Sequence, residues 1–228
     1  FGRLNLNWDN KYLLEANLRA DGSSKFAPGE RWGYFPSVSA GWRLSEERFM
    51  RGASSWLNNL KMRASYGSLG NNATTSYYMY QSLFATANYI LNGNIAGGFA
   101  QTVLSNPKLS WEKTYMTNVG VDFSMLNSRL SGSVEAYSKD TKGILISLPA
   151  PLEHGTATVP NQNAGEVNNK GFEVDLHWAD RIGRVNYNVG FNLGFVNNKV
   201  TKFQGDVSSI NGVYKLSLIH ISEPTRPY

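Results

Sequence analysis

Apolar and polar residues alternate one by one along several stretches of this 228-residue chain. In the clearest stretch, residues 185–195, every odd-numbered residue is apolar and every even-numbered residue is Asn or Gly. Because successive side chains of a β-strand point to opposite faces, such a segment has one apolar and one polar face. Two folds share this pattern. A soluble sandwich buries its apolar face, whereas an outer-membrane barrel turns that face to lipid and encloses a polar lumen.

The alternation predicts eight strands. Their expected bounds are 2–8, 12–21, 33–45, 59–67, 111–123, 129–139, 171–178 and 185–197. Charged residues within these strands, such as Glu15, Arg63 and Glu135, fall on the polar phase. A slip of one residue would turn them to the apolar side, so the pattern specifies the register of the strands.

The predicted connections alternate between short and long. Connections 9–11, 124–128 and 179–184 are short, and connection 46–58 is expected to contain a helical turn with Ser45 as its N-cap. The intervening connections, 22–32, 68–110 and 140–170, are long. Short turns at one end and long loops at the other are typical of a membrane barrel, while loops of this length are uncommon in a compact soluble domain.

Large aromatic residues are concentrated near the ends of the predicted strands. Those next to the short connections are Trp8, Trp42, Phe123, Trp178 and Tyr187, and those next to the long ones are Trp32, Tyr34, Tyr66, Trp111 and Phe195. Two such girdles are expected at the two interfaces of a membrane. The fold class predicted from the residues is therefore all-β, a partial antiparallel transmembrane β-barrel.

The amino-acid composition argues against several classes of function. The formal charge of +5 is scattered rather than clustered, which disfavours nucleic acid as a partner. The chain has no Cys, and its three His do not share the spacing of metal ligands, so neither a metal site nor a cofactor is predicted. The carboxylates Glu112, Asp122 and Glu135 are better explained as a solvated polar wall than as an acid–base pair, and we do not expect an enzyme.

Candidate binding residues lie in the long connections and on the polar phase. The loop residues are Tyr77, Tyr78, Tyr80, Tyr89 and Asn94, and the strand residues are Arg19 and Arg63. Aromatic rings and amides suit stacking on, and hydrogen bonding to, sugars or peptides. The alternative is that the loop residues only pack on their neighbours.

Several motifs occur together in this chain. They are DGSSKF at 21–26, RWGYFPSVSAGWR at 31–43, LKMRASYG at 60–67 with Gly70-Asn71, NPKLSWEKT at 106–114, NVGVDF at 118–123 and NAGEVNNKGFE at 163–173. In this order they resemble the C-terminal half of the barrel in SusC/RagA-type TonB-linked outer-membrane transporters of Bacteroidota. The resemblance implies a plugged barrel of the 22-strand class in the outer membrane of a Gram-negative bacterium. It also implies import of oligosaccharides or peptides with energy passed through TonB, and a SusD-like lipoprotein as a lid.

The resemblance covers nearly all of residues 1–215, which we assign to the receptor barrel. Residues 216–228 read LSLIHISEPTRPY and resemble a translated sequencing adapter, so they are excluded from the domain. The chain is interpreted as an internal fragment. An arc of eight strands has two open edges, so we expect that this piece alone does not form a working pore.

Two other functions are compatible with the same residues. One is a surface barrel or adhesin that binds glycans or host polymers through its loops without transport. The other is a soluble β-sandwich that binds carbohydrate, which requires the apolar face to pack inward against a second sheet.

Overall fold

The computed structural model describes residues 1–73, 75–148 and 157–203. Its main feature is one antiparallel sheet of eight strands in the order β1-β2-β3-β4-β7-β8-β9-β10. These strands are β1 Gly2–Trp8, β2 Tyr12–Gly22, β3 Trp32–Arg43, β4 Leu57–Asn71, β7 Glu112–Met125, β8 Leu130–Ile146, β9 Gln162–Ile182 and β10 Val185–Phe203. All eight predicted strands are thus confirmed. The suspected adapter at 216–228 lies outside the described residues.

A separate hairpin, β5 Leu83–Leu91 and β6 Asn94–Val103, lies within the connection between β4 and β7 and was not predicted. Its turn is Asn92-Gly93, with φ of 50° and 77°. An Asn-Gly pair between apolar residues is a strong hairpin signal, because both residues tolerate the positive φ that a tight turn requires. The sequence therefore carried this information in a segment whose alternation is weak.

Strands on either side of the long connections extend beyond the predicted bounds. β8 continues to Ile146 and β9 begins at Gln162, and the polar pairs Asp140–Asn168 and Lys142–Glu166 lie in the added part. The alternation of apolar and polar residues marks only the part of a strand that has one apolar face. Backbone hydrogen bonding between strands does not depend on it, so the ladder continues where both faces are polar.

The register places the two phases of alternation on opposite faces across the whole sheet. One row of directly paired residues crosses all eight strands on the apolar face: Leu6, Leu14, Ala40, Ala64, Val119, Ala136, Phe172 and Phe195. Large members of this face are exposed, among them Leu14 at 43% and Phe195 at 55%. In the described part of the chain no second sheet covers it, which excludes the sandwich.

Connections at the two ends of the sheet differ as predicted. The connection between β3 and β4 contains two 3₁₀-helices, Leu44–Glu46 and Arg48–Ala53. The predicted helical turn is confirmed, but the prediction of Ser45 as N-cap is wrong. Ser45 lies inside the first 3₁₀-helix, which begins one residue earlier at Leu44. The N-cap residues are Arg43 and Glu47, and neither makes a capping hydrogen bond through its side chain. No helix among the described residues is long and apolar enough to cross a membrane.

Candidate functional site

The polar face of β1 to β4 forms a continuous trough. Two adjoining grooves, of about 480 and 800 Å³, share the side chains of Glu15, Ser39, Ser65 and Asn118. Lys61 and Arg63 line the first groove, and Arg3, Arg19 and Asp21 line the second. Every one of these side chains belongs to the polar phase, so the strand alternation itself produces this hydrophilic surface.

Arg63 is the centre of an ion-pair network across three strands. From β4, its Nε lies 3.2 Å from Asp122 Oδ1 on β7, and its Nη2 lies 2.8 Å from Glu135 Oε2 on β8. Gly120 lies directly opposite Arg63 in the register, and a Cβ there would come within 3.0 Å of the guanidinium carbon. The absence of a side chain at position 120 thus leaves the space in which Arg63 reaches both carboxylates.

Carboxylates outnumber their basic partner around this network. Glu135 is paired in register with Glu173 on β9, so two like charges lie opposite each other. Like charges at directly paired positions are unfavourable. Of this pair Arg63 contacts Glu135. Lys61 lies opposite Asp122 in the register, so two basic residues face three carboxylates. This part of the polar face is therefore suited to a ligand that brings positive charge or hydrogen-bond donors.

A small apolar cluster lies where β3 and β4 meet the long connections. It consists of Phe26, Phe35, Leu109 and Trp111, with exposures of 0 to 7%, and Met79 and Leu145 pack against it. The Trp111 ring centroid is 5.2 Å from that of Phe26 and 5.6 Å from that of Phe35. The Phe35 ring lies against Gly70, where any side chain would overlap it. The long connections are thus packed together rather than independent of the sheet.

Hydrogen bonds surround this cluster and join the three long connections. Trp111 Nε1 donates to Arg31 O over 3.1 Å, and Asn72 Nδ2 donates to Ser23 Oγ over 3.1 Å. Asn163 Nδ2 donates to Ser110 O and to Gly143 O, while its Oδ1 accepts from Ser110 N. The described parts of the long connections are therefore joined into one rim above the trough.

Two sequence-based interpretations change here. Trp111 was predicted to belong to an aromatic girdle, but it is only 7% exposed, because its ring packs against those of Phe26 and Phe35 in the cluster. Glu112 was predicted to be part of a solvated wall, but it is 8% exposed and accepts hydrogen bonds from Asn71 Nδ2 and Leu145 N, both at 2.8 Å. Both residues come from the NPKLSWEKT motif, and both act structurally at the rim.

The seven candidate binding residues occupy three places. Tyr77, Tyr78 and Tyr80 share one turn, with the rings of Tyr77 and Tyr78 6.4 Å apart and Lys25 Nζ 5.4 Å from the Tyr77 centroid. Tyr89 and Asn94 lie on the β5–β6 hairpin.

The other two candidates lie on strands of the polar face. Arg19 pairs with Asp21 at 2.7 Å, and Arg63 belongs to the network described above. Only Tyr77 and Tyr78 contact each other directly among the seven, as far as the described residues go. The set therefore extends from the rim into the trough instead of forming one cluster.

The acidic and histidine side chains of the described residues are dispersed over the strands and their connections. In residues 1–73, 75–148 and 157–203, no group of three or more His, Asp or Glu is arranged to hold an ion. His177 pairs instead with Asp175 at 2.6 Å on the polar face of β9. The polar face therefore offers hydrogen bonds and charge to a ligand, and no metal chemistry is assigned to it.

Comparisons with known proteins agree on one family. The model of the family described as TonB dependent receptor-like, beta-barrel, matches residues 1–216. TonB-dependent receptor P39 of Formosa agariphila is 34% identical over 94% of this chain, and TonB-dependent receptor SusC of Bacteroides thetaiotaomicron is 32% identical over 90%. The chain spans about one fifth of the length of these relatives.

Solved structures show the same similarity in three dimensions. The RagAB peptide importer in its open-open state has a TM-score of 0.78 and 29% identity, covering 89% of this chain and 22% of that one. The closed-closed state gives a TM-score of 0.76 over 88% of this chain. The resemblance drawn from the sequence motifs is confirmed.

Proposed function

Because this chain belongs to the TonB-dependent receptor-like β-barrel family, we propose that it forms part of the wall of an outer-membrane transporter. In this proposal residues 1–215 supply eight strands of a larger barrel, and residues 216–228 are not part of it. The protein takes up oligosaccharides or peptides with energy delivered through TonB, and a SusD-like lipoprotein covers its external loops. It has no catalytic role.

The observation that carries this proposal is the difference between the two faces of the sheet. The exposed apolar face suits contact with outer-membrane lipid, and the charged face suits a water-filled path. The strands β1 and β10 lie at the two ends of the strand order, so each offers an open edge to which further strands of a barrel can pair.

Charge on the polar face supports peptides as the first substrates to test. The polar face carries positive and negative side chains, as in the ion pairs Arg19–Asp21 and Arg63–Glu135. These side chains can leave their partners and bind the charged termini and side chains of a peptide. The structural neighbour RagAB is described as a peptide importer. At the rim, Tyr77, Tyr78, Tyr80, Tyr89 and Asn94 make the first contacts with substrate, and Arg19 and Arg63 act further along the path.

Uptake by the longer receptor tests the proposal. Cells that express the receptor with its partner lipoprotein receive labelled oligopeptides or labelled oligosaccharides, with and without a functional TonB. Uptake that requires TonB and falls in Tyr77→Ala/Tyr78→Ala supports transport through this rim. Phe84→Ala, an exposed aromatic residue of the hairpin, serves as the control.

A different result identifies the adhesin alternative. If labelled glycans or peptides bind to the cell surface and the tyrosine variant releases them, but nothing is internalised in the presence of TonB, the protein is a surface binder. If neither binding nor uptake responds to the tyrosines, the assignment of the rim residues is wrong while the transport proposal is judged on the dependence on TonB alone.

A further inference from the structure

The β3–β4 connection lies over the apolar face at the end of the sheet with the short turns. Glu47 Oε1, within this connection, accepts hydrogen bonds from Tyr12 Oη over 2.7 Å and from Trp42 Nε1 over 3.1 Å. Tyr12 and Trp42 belong to the apolar phase, and their rings stack at 6.4 Å. A carboxylate held by these two side chains fixes the connection on the outer side of the sheet.

The other end of the connection is also fixed. Leu126 N in the β7–β8 turn donates to Trp56 O over 2.7 Å, and Ser128 N donates to Asn58 Oδ1 over 2.9 Å. The segment from Leu44 to Trp56 is therefore attached to two separate parts of the sheet and presents a defined surface.

The second 3₁₀-helix, Arg48–Ala53, distributes its side chains in three rows. Residues three apart share a side in a 3₁₀-helix, since it has three residues per turn. Met50 and Ala53 form the half-buried row, while Phe49 is 68% exposed. Arg48 and Arg51 form the third row, both exposed and, in the described part of the chain, without a salt bridge.

Two arginines at this spacing repel each other unless an anion lies between them. The Glu47 carboxylate, which Tyr12 and Trp42 hold through hydrogen bonds, also interacts electrostatically with Arg48 and offsets part of this positive charge. The same connection also carries two exposed aromatic side chains, Phe49 at 68% and Trp56 at 49%. In a bilayer the lipid phosphates lie next to the acyl chains. Two arginines flanked by aromatic residues, at the edge of the proposed lipid-facing surface, can bind phosphate and acyl chain at once.

We propose that the segment 44–56 is an interfacial anchor in which Arg48 and Arg51 bind the phosphate of an anionic phospholipid while Phe49 and Trp56 enter the acyl region. The occupant is a phospholipid of the leaflet at the short-turn end. The anchor rests on the proposed membrane location and goes beyond transport, since it gives this end of the barrel a preference among lipids.

Native mass spectrometry of the longer receptor, stripped of lipid, measures this preference. The protein is titrated with phosphatidylglycerol and, separately, with phosphatidylcholine of the same acyl chains. Arg48→Gln/Arg51→Gln should weaken phosphatidylglycerol binding by about 5-fold for each arginine, and leave phosphatidylcholine binding unchanged. The control, Arg181→Gln/Arg184→Gln, removes two charges from the β9–β10 turn at the same end of the sheet and should bind phosphatidylglycerol as the wild type does.

Equal phosphatidylglycerol affinity in the wild type and in Arg48→Gln/Arg51→Gln overturns the proposal, as does an equal loss in the control. A fluorophore on Phe49→Cys provides a second readout, once any cysteines of the receptor outside this chain, which itself contains none, have been replaced. The emission maximum of the fluorophore should shift to the blue in phosphatidylglycerol vesicles. An emission maximum equal to that in detergent-free buffer contradicts the proposal that this side chain enters the acyl region. Flotation of the same vesicles separates the outcomes: a receptor that does not float contradicts the membrane proposal itself, whereas one that floats without a phosphatidylglycerol preference contradicts only the anchor.

Discussion

Aromatic residues in this sheet have two opposite environments. Phe26, Phe35 and Trp111 are nearly inaccessible in the rim cluster, whereas Trp8 is 78% exposed and Trp32 is 63% exposed. Both groups come from similar sequence, and Trp32 is only three residues from Phe35. The comparison shows that this chain uses a small protein core to join its loops and leaves its larger apolar surface exposed, as the proposed contact with lipid requires.

The largest expected effect comes from the buried group. Trp111→Ala should lower the free energy of unfolding of the longer receptor by about 3–5 kcal/mol, since it removes a large side chain from a packed site and leaves a cavity. Trp32→Ala, at the same end but exposed, should cost much less. Denaturant unfolding in detergent, followed by tryptophan fluorescence and gel mobility, measures both. Equal losses of unfolding free energy would mean that the rim cluster contributes no more to stability than the exposed apolar face.

A charge placed on the apolar face tests the other side of the comparison. Val189→Arg should destabilise the barrel by about 2–4 kcal/mol, because the guanidinium would lie in the hydrocarbon region. Asn188→Arg, one position earlier on the opposite face of β10, is the matched control and should cost little. The same unfolding experiment in lipid vesicles distinguishes them, and a neutral Val189→Arg would contradict lipid contact at this position.

A smaller effect is expected on the polar face. Arg63→Ala should cost about 1 kcal/mol, because it leaves Asp122 and Glu135 facing each other while the partly exposed ion pairs are screened by water. Lys61→Gln removes a neighbouring positive charge on the same face and should be nearly neutral. Substrate uptake should fall more than stability in Arg63→Ala. Unchanged uptake in that variant would remove Arg63 from the path.

The smallest effect concerns the attachment of the β3–β4 connection. Hydrogen bonds from Tyr12 and then from Trp42 lower the pKa of the Glu47 carboxyl. A lowered pKa in the folded state means that the contribution of Glu47 is present above its unfolded value and is lost as the pH falls through the folded value. Protection factors of the 44–56 backbone amides, which correct for the intrinsic pH dependence of exchange, should therefore fall in acid, and Glu47→Gln should make those protection factors less dependent on pH. Identical acid profiles for both proteins would contradict the attachment.

The local sequence pattern was sufficient to predict the strands of the main sheet and the face on which each residue lies. Alternation has a period of two and depends only on neighbouring residues, so strands such as β1 and β10 were predicted with nearly correct starts. The same reasoning missed the β5–β6 hairpin, because its alternation is weak, although the Asn92-Gly93 turn was visible. Ser45 was assigned as an N-cap from its residue type alone, and the position of the helix start was not available locally.

Only the tertiary structure decided which side chains act together. Arg63 meets Asp122 and Glu135 from 59 and 72 positions away, and Trp111 Nε1 reaches Arg31 O across 80 positions. The sequence by itself determined that an arginine and two carboxylates share a polar face, and that Trp111 is close to a strand end. Their contacts depend on strand order and register over the whole sheet, and on the packing of Trp111 against Phe26 and Phe35, which are properties of long-range pairing that no local pattern encodes.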